Sequence, residues 1–135
     1  MLCIVLDTNV LVAAAYSPSS DSRRIVEACL RHSLEMVVSA ELEAEYRYIL
    51  PRAVRTRSYL SRLDQLLDKA VRCEVFSSDR YVPDDRDDDK VVAVAVTASA
   101  SAIVTNDEHL LKLDPVEGIR VVQPTRFVAL FSLGS

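Results

Sequence analysis

The sequence contains few of the residues that bind soft metals or form disulfides. Its only two histidines, His32 and His109, have no cysteine as a neighbour, so we expect no zinc site. The three cysteines, Cys3, Cys29 and Cys73, include no C-x-x-C pair and are odd in number. This pattern favours buried, reduced thiols over a disulfide framework.

Long apolar runs are also absent. The longest aliphatic run, 91–96, is far shorter than the roughly 20 residues that span a bilayer. The apolar start at 1–6 leads directly into Asp7 without the charged region that precedes the apolar core of a signal peptide. We therefore expect a cytoplasmic protein with no membrane partner.

The chain is poor in aromatic residues and carries a net negative charge. It has no tryptophan, five tyrosines and three phenylalanines without a cluster, which gives no sign of a platform for stacking bases.

The net charge of −4 argues against coating nucleic acid by charge alone. The segment 47–62 nevertheless has five arginines and no acid, and its members that could contact RNA phosphates are Arg47, Arg52 and Arg55. A solvated helix face is the alternative explanation.

Strand and helix patterns alternate along the chain and predict a single α/β domain over residues 1–135. Short runs rich in valine and isoleucine predict strands at 2–6, 34–38, 73–76, 102–104 and 119–122. Apolar residues recur at helical spacing in 25–30, 42–50 and 60–71, and 90–100 is apolar nearly all round. Such alternation implies parallel strands joined by right-handed crossovers, with helices on both faces.

Polar side chains follow three of the predicted strands directly. Asp7-Thr8-Asn9 follows the first strand, Ser39 the second, and Thr105-Asn106-Asp107 the fourth. Ligands of such sheets bind outside the carboxyl ends of the strands, where these residues would meet. A carboxylate at the rim of the core is costly to ionise without a partner, and a cation is the natural one. Capping a helix N-terminus is the competing role for the aspartates.

Acidic residues on two predicted helices can join this edge. Glu45 flanks the apolar stripe of its helix and can lean toward the core, although an ordinary surface glutamate has the same spacing. Residues 84–89 include five aspartates before the apolar helix, and the helix dipole accounts for some of them. Their mutual repulsion is destabilising unless a cation neutralises it. Asp89 is the first candidate to face inward, and Asp88 is the second.

Oxygen ligands without histidine or cysteine favour Mg²⁺ or Mn²⁺ over zinc or copper. Clustered carboxylates with such ions suit hydrolysis of a phosphodiester, because the metal lowers the pKa of the attacking water and neutralises charge developing on the phosphate. Thr105 and Ser39 could hydrogen-bond the carboxylates and hold them in place.

The order of these motifs resembles that of the PIN-domain nucleases, in particular the VapC-like branch described as toxins of bacterial toxin–antitoxin systems. The matching segments are 5–11, Ser39 with Glu45, 85–95, and 103–107 followed by Leu110-Leu111. The resemblance implies a three-layer α/β/α fold around a central, mainly parallel five-stranded sheet. It also implies a metal-dependent endoribonuclease.

Carried over residue by residue, the resemblance implies a catalytic, metal-binding quartet with supporting polar groups: Asp7, Glu45, Asp89 and Asp107, supported by Asn9 and Thr105. The three aspartates would coordinate Mg²⁺ or Mn²⁺, and Glu45 would coordinate the ion or orient the attacking water. The family spacing counted back from Thr105 favours Asp89, with Asp88 as the alternative. The implied partners are an RNA substrate, a cognate antitoxin and a second copy of the chain.

Two other functions remain compatible with the sequence. A catalytically idle PIN-like module that binds RNA or protein would have the same fold, although the intact acids argue against it. A metal-dependent phosphatase of the haloacid-dehalogenase type needs an aspartate two residues after the first one. Asn9 stands at that position, which ranks the phosphatase low.

Overall fold

The computed structural model describes residues 1–75, 81–82 and 85–131 of the chain. The described part contains five strands: β1 (Leu2–Leu6), β2 (Leu34–Val38), β3 (Val71–Arg72), β4 (Ala102–Val104) and β5 (Arg120–Val122). It contains seven helices: α1 (Thr8–Tyr16), α2 (Asp21–Leu30), α3 (Ala40–Ala53), α4 (Arg57–Lys69), α5 (Arg86–Thr97), α6 (Glu108–Leu111) and α7 (Pro124–Leu130). None of these helices has the length and apolar character needed to cross a membrane.

The strands form one sheet in the order β3-β2-β1-β4-β5, and all of its pairs are parallel. The chain moves outward from β1 to β2 and β3, and then returns to the other side of β1 for β4 and β5. The carboxyl ends of β1 and β4 therefore lie at the point where the strand order reverses, which is where open α/β sheets bind ligands. The predicted α/β class and five-stranded parallel sheet are confirmed.

Helices cover both faces of the sheet. Ile4, Val5 and Leu6 are consecutive in β1 and all fully buried, although their side chains alternate between the two faces. Helix α5 packs against β1, β2 and β4, while α2 contacts β2 and α7 contacts β4. A strand buried on both faces is typical of a parallel sheet between two helical layers. This is the predicted three-layer arrangement.

The third strand was predicted at the wrong position. It was expected at 73–76, but β3 is Val71–Arg72 and pairs with Val37 and Val38, whereas 73–75 are not strand. The predicted helical range 60–71 included Val71, because apolar residues just after Leu67 fit the spacing of a helix as well as that of a strand. Helix α4 ends at Lys69, since Ala70 has an extended backbone. Position 76 lies outside the described residues.

The apolar helix α5 begins at Arg86, four residues before the predicted start at 90. Asp85 is its N-cap, and the side chain accepts hydrogen bonds from the backbone N–H groups of Asp87 and Asp88 at 3.0 Å each. The later acids therefore lie in the first helical turn, where neighbours point about 100° apart. Asp88 and Asp89 are buried, whereas Asp87 is exposed. Position 84 lies outside the described residues.

The three cysteines are unpaired, as the sequence predicted. Cys29 is buried in α2, and burial raises the pKa of its thiol to about 12. Burial also raises the pKa of the half-buried Cys3 and Cys73. Thiols held in the protonated form are poor nucleophiles and poor metal ligands.

The hydroxyl of Tyr46 anchors α3 to the end of the central strand. Tyr46 is fully buried and donates a hydrogen bond to the backbone carbonyl of Leu6. Tyr46→Phe keeps the ring but removes this donor, so we expect the free energy of unfolding to fall by about 1–2 kcal/mol. Urea denaturation should show a lower midpoint at an unchanged m value. Tyr48→Phe is the matched control on the same helix, because Tyr48 is exposed; equal losses in both variants would contradict the prediction.

Candidate active site

Asp7 lies where β1 gives way to α1. Its backbone N–H donates to the carbonyl of Val104 at 3.0 Å, which continues the pairing of β1 with β4 by one residue. Its carboxylate accepts hydrogen bonds from the Thr8 N–H at 2.9 Å, the Asn9 amide at 3.0 Å and the Thr105 hydroxyl at 2.6 Å. Asp7 is thus also the N-cap of α1, so the capping role and a place in the site are compatible.

The pKa of the Asp7 carboxyl is raised. Burial is the largest cause; the hydrogen bonds from Thr105 and Thr8 lower the pKa, and the charges of Asp107 and Glu45 raise it again. No lysine or arginine in the described part of the chain forms an ion pair with Asp7. Within the described ranges, the ionised carboxylate is therefore held by neutral donors alone.

Thr105 connects Asp7 to Asp107. It is fully buried after β4, and its hydroxyl accepts the backbone N–H of Asp107 at 2.9 Å while donating to Asp7. Asp107 in turn accepts the backbone N–H of His109 at 2.9 Å and caps the short helix α6. The side chain of Asn9 accepts the backbone N–H of Asn106 at 3.3 Å. These bonds hold the segments that follow β1 and β4 side by side.

Asp88 is the least satisfied acid of the described residues. Only 7% of the residue is exposed, and its Oδ2 is a buried atom without a hydrogen-bond partner in the part of the chain that is described. Burial, followed by the charges of Asp107, Asp85 and Asp7, raises the pKa of Asp88 to about 6. Buried carboxylates are normally paired or coordinate a metal. The Asp88 side chain therefore needs a positive partner near Asp7 and Asp107.

Asp89 has a different set of contacts from its neighbour. Its Oδ1 accepts the backbone N–H groups of Tyr81 at 2.6 Å and Val82 at 2.9 Å. These bonds hold the segment 81–82 against the beginning of α5. The structure thus gives Asp89 a backbone-anchoring contact and places Asp88 within electrostatic reach of Asp7 and Asp107.

Glu45 projects from α3 and is held by two donors. The Thr8 hydroxyl donates to Oε2 at 2.6 Å, and the Lys90 ammonium lies 2.7 Å from Oε1. Lys90 also lies 3.3 Å from Asp87. Burial lowers the pKa of Lys90, but the hydrogen bonds and charges of Glu45 and Asp87 outweigh burial, and the pKa is raised overall. Lys90 was not singled out from the sequence, although its place directly after the acidic run was an available signal.

Asp7, Glu45, Asp88 and Asp107 are hereafter called the acidic site. Its acidic side chains offer carboxylate oxygens, which suit Mg²⁺ or Mn²⁺, and the oxygen of Asp88 that has no partner among the described residues is the atom that such an ion would satisfy. Within 1–75, 81–82 and 85–131, no three carboxyl, histidine or cysteine groups are already assembled as a ligand set. Binding an ion at the acidic site therefore requires its side chains to adjust.

Ser39, expected to support the carboxylates, contacts a helix in the structure. It is buried after β2, and its hydroxyl accepts the backbone N–H of Leu42 at 3.1 Å. This bond caps α3, the helix that carries Glu45. Ser39 thus fixes the start of that helix.

Much of the arginine-rich segment 47–62 makes contacts within the chain. Arg47 lies 2.9 Å from Glu43 and 3.1 Å from Asp68. Arg52 donates to the carbonyl of Tyr48 at 2.6 Å and stacks on its ring at 3.8 Å from the centroid. Arg55 is exposed and forms no ion pair with any described residue. Among the described residues, neither Arg52 nor Arg55 has an acidic partner, and Arg55 is the one of the three for which no contact is found.

The fold and the acidic site define a doubly wound α/β domain with carboxylates gathered at the switch point of its parallel sheet. Residues 3–109 match the sequence model of the PIN domain, so the chain belongs to the PIN-domain family and the resemblance seen in the sequence is confirmed. No curated protein is similar enough in sequence to match the chain.

Two solved structures are similar in fold. VapBC2 from Rickettsia felis, solved bound to a DNA fragment from its promoter, has a TM-score of 0.59 and 18% identity, covering 89% of this chain and 97% of that one. PAE2754 from Pyrobaculum aerophilum has a TM-score of 0.61 and 18% identity, covering 97% of this chain and 90% of that one. At this identity the likeness concerns the fold alone.

The buried charge of Asp88 predicts a pH-dependent effect of Asp88→Asn in metal-free protein. A pKa raised from 3.8 to about 6 makes ionisation up to ~3 kcal/mol harder in the folded state. The free energy of unfolding of wild type should therefore fall as the pH rises from about 4 through 6. Asp88→Asn should be the more stable protein at about pH 8 and lose its advantage near pH 4, in urea denaturation with EDTA.

The control for this measurement is Asp87→Asn, which removes the neighbouring carboxyl group. The Asp87 side chain is 85% exposed, so its ionisation meets little desolvation. An advantage of Asp88→Asn that is equal at both pH values would contradict the assignment of a raised pKa to Asp88.

Proposed function

We propose that this protein is a divalent-metal-dependent endoribonuclease that hydrolyses RNA phosphodiester bonds with Mg²⁺ or Mn²⁺ held at the acidic site. Membership of the PIN-domain family supports a nuclease, because PIN domains are generally nucleases and typically depend on divalent metal. The observation that carries the proposal is the buried oxygen of Asp88, which has no hydrogen-bond partner among the described residues and lies within electrostatic reach of Asp7 and Asp107.

The proposal assigns different tasks to the four acids. Asp7, Asp88 and Asp107 would hold the ion, since none of them forms an ion pair within the described ranges. When bound, the ion would supply a more acidic water and neutralise charge on the phosphate. Glu45, held by Thr8 and Lys90, would orient the attacking water. Asp88 takes the place that the family spacing gave to Asp89, because Oδ1 of Asp89 accepts two backbone N–H groups whereas Asp88 has a buried oxygen without a partner among the described residues.

The supporting groups keep the acids in place. The Thr105 hydroxyl and the Asn9 amide both donate to Asp7, which fixes the orientation of its carboxylate. Thr105 also accepts the N–H of Asp107, so one buried hydroxyl positions two of the proposed ligands. Such fixed partners reduce the reorganisation needed when the ion and substrate bind.

RNA and an antitoxin are the proposed partners. Arg55 would contact RNA phosphates, because its charge is not neutralised within the described part of the chain; Arg47 and Arg52 would first have to leave their present contacts. The fold resembles that of VapBC2, a structure solved with promoter DNA. We therefore propose the toxin component of a type II toxin–antitoxin system, a cytoplasmic protein that forms a homodimer and consists of a single domain over 1–135.

The direct test is cleavage of a labelled single-stranded RNA in Mn²⁺ or Mg²⁺. Wild type should cleave, EDTA should stop the reaction, and Asp7→Asn and Asp88→Asn should each lower the rate by about 100-fold or more, because each removes a proposed ligand. The matched control is Asp87→Asn, which alters an exposed acid beside Asp88 and should retain most of the activity. The same sequence as DNA tests whether the substrate is RNA.

Three outcomes of this assay would count against the proposal. Equal cleavage by wild type and Asp7→Asn would indicate a contaminating nuclease. Cleavage that survives EDTA would exclude metal dependence. Metal-induced stabilisation without cleavage of any RNA would instead support the idle binding module.

The contacts of Asp88 and Asp89 predict opposite effects when each is truncated. Asp89→Ala leaves the N–H groups of Tyr81 and Val82 without their acceptor, so the free energy of unfolding should fall by about 1–3 kcal/mol. Asp88→Ala removes an unpaired charge and should not destabilise metal-free protein. Thermal unfolding with and without Mn²⁺ tests both, since only Asp88→Ala should lose the stabilisation that Mn²⁺ gives. The reverse pattern would restore Asp89 as the ligand.

A further inference from the structure

We propose that the Lys90 ammonium is a built-in cation that neutralises Glu45 in place of a second divalent ion, so that the acidic site binds one ion per chain. The inference rests on the proposed metal-dependent function and deepens it. Its basis is the uneven distribution of positive charge among the four carboxylates of the acidic site.

Both oxygens of Glu45 are already engaged. Oε2 accepts the Thr8 hydroxyl at 2.6 Å, and Oε1 lies 2.7 Å from the Lys90 ammonium. The two side chains are well shielded, with 14% of Lys90 and 19% of Glu45 exposed. A shielded ion pair at this distance is much less weakened by water and salt than a surface pair.

The other three acids of the acidic site have no positively charged partner among the described residues. The carboxylates of Asp7 and Asp107 accept hydrogen bonds from uncharged groups, and Asp88 has a buried oxygen without a partner in the described ranges. As far as the described residues show, the positive charge that the site lacks is therefore on the side of the three aspartates. Glu45 already has its cation.

The position of Lys90 is not explained by helix stability alone. It is the fifth residue of α5, close to the N-terminus, where the helix dipole favours negative rather than positive charge. Its contact within the helix is with Asp87 at 3.3 Å, and the Asp87 side chain is 85% exposed. The shorter contact reaches Glu45 on a different helix, α3. The Lys90 ammonium thus lies closer to a carboxylate of the acidic site than to the acid of its own helix.

A second ion beside Glu45 would have to displace or approach this ammonium. Ions in two-metal sites lie roughly 3.5–4 Å apart and share carboxylate ligands. A lysine already 2.7 Å from Glu45 occupies that region, and like charges at such distances repel strongly in a shielded site. With Lys90 in place, one ion at the aspartates is the expected occupancy.

The experiment counts Mn²⁺ ions bound to the full chain by electron paramagnetic resonance titration and by isothermal calorimetry. Wild type should bind one ion per chain at the acidic site. Lys90→Met frees Glu45 and should bind two ions, whereas Lys90→Arg keeps the charge and should bind one. Lys69→Met, which removes an exposed lysine at the end of α4, should behave as wild type.

A double variant separates the role of Lys90 from general effects on charge. Lys90→Met with Glu45→Gln lacks both members of the pair and should return to one ion, because the added site needs the Glu45 carboxylate. The double variant also leaves neither member of the Lys90–Glu45 pair charged without the other, so it tests the inference if Lys90→Met alone folds poorly. As a single substitution with Lys90 retained, Glu45→Gln should change the affinity for the one ion less than about 3-fold, because Glu45 is not its ligand.

Two ions in wild type, or one ion in a folded Lys90→Met, would overturn the inference. A loss of all binding in Glu45→Gln would also overturn it, because Glu45 would then be a ligand. The proposed function fails separately: if wild type binds one ion and Lys90→Met two, yet neither cleaves RNA, the nuclease assignment is lost and the ion count stands. No binding by any of these proteins would refute both.

Discussion

The hydrogen bond from Thr105 to Asp7 is the contact on which the acidic site depends. Leu6 and Val104 are paired in the parallel sheet, so the next residues of the two strands leave it side by side. Thr105 is buried there. Its hydroxyl donates a hydrogen bond to Asp7 at 2.6 Å and accepts one from the N–H of Asp107 at 2.9 Å. Two acids far apart in sequence are therefore set by one side chain. Both follow strands at which the strand order reverses, which is where open α/β sheets bind ligands.

Around this contact, the protein tolerates an arrangement of charge that costs stability. Asp7 and Asp88 are both buried enough for the pKa of each to be raised, and the charge of Asp107 contributes to both shifts. A core designed for stability alone would neutralise or remove such groups. Local departures of this kind are characteristic of functional sites, where the rest of the fold supplies the compensating stability. The fully buried residues Ile4, Val5 and Leu6 of β1 and all three residues of β4 are part of that compensation.

The sequence predicted best those features that depend on residues next to each other. Asp7 and Asp107 could be proposed as site residues because Asp7 directly follows a run of strand-forming residues and Asp107 ends the short polar segment after another. The parallel sheet was implied by the alternation of elements. The choice between Asp88 and Asp89 was not determined, since neighbours on a helix differ by about 100° in direction and the start of α5 depends on the cap at Asp85. The partner of Lys90 lies on another helix, and no local pattern specifies such a contact. The same reason hid the ion pairs that engage Arg47.

The acidic run before and within α5 shows how one stretch of similar residues acquires several functions. Asp85 caps the helix, Asp87 faces solvent near Lys90, and Asp89 anchors the backbone at 81–82. Among the described acids of this run, only Asp88 combines burial, an oxygen without a described partner and the influence of Asp7 and Asp107. The cap at Asp85 and the backbone contacts of Asp89 define where the helix begins and how it is rotated about its axis. That rotation turns Asp88 inward. The neighbours of Asp88 therefore contribute to the acidic site by positioning it, even though their own carboxylates contact other groups.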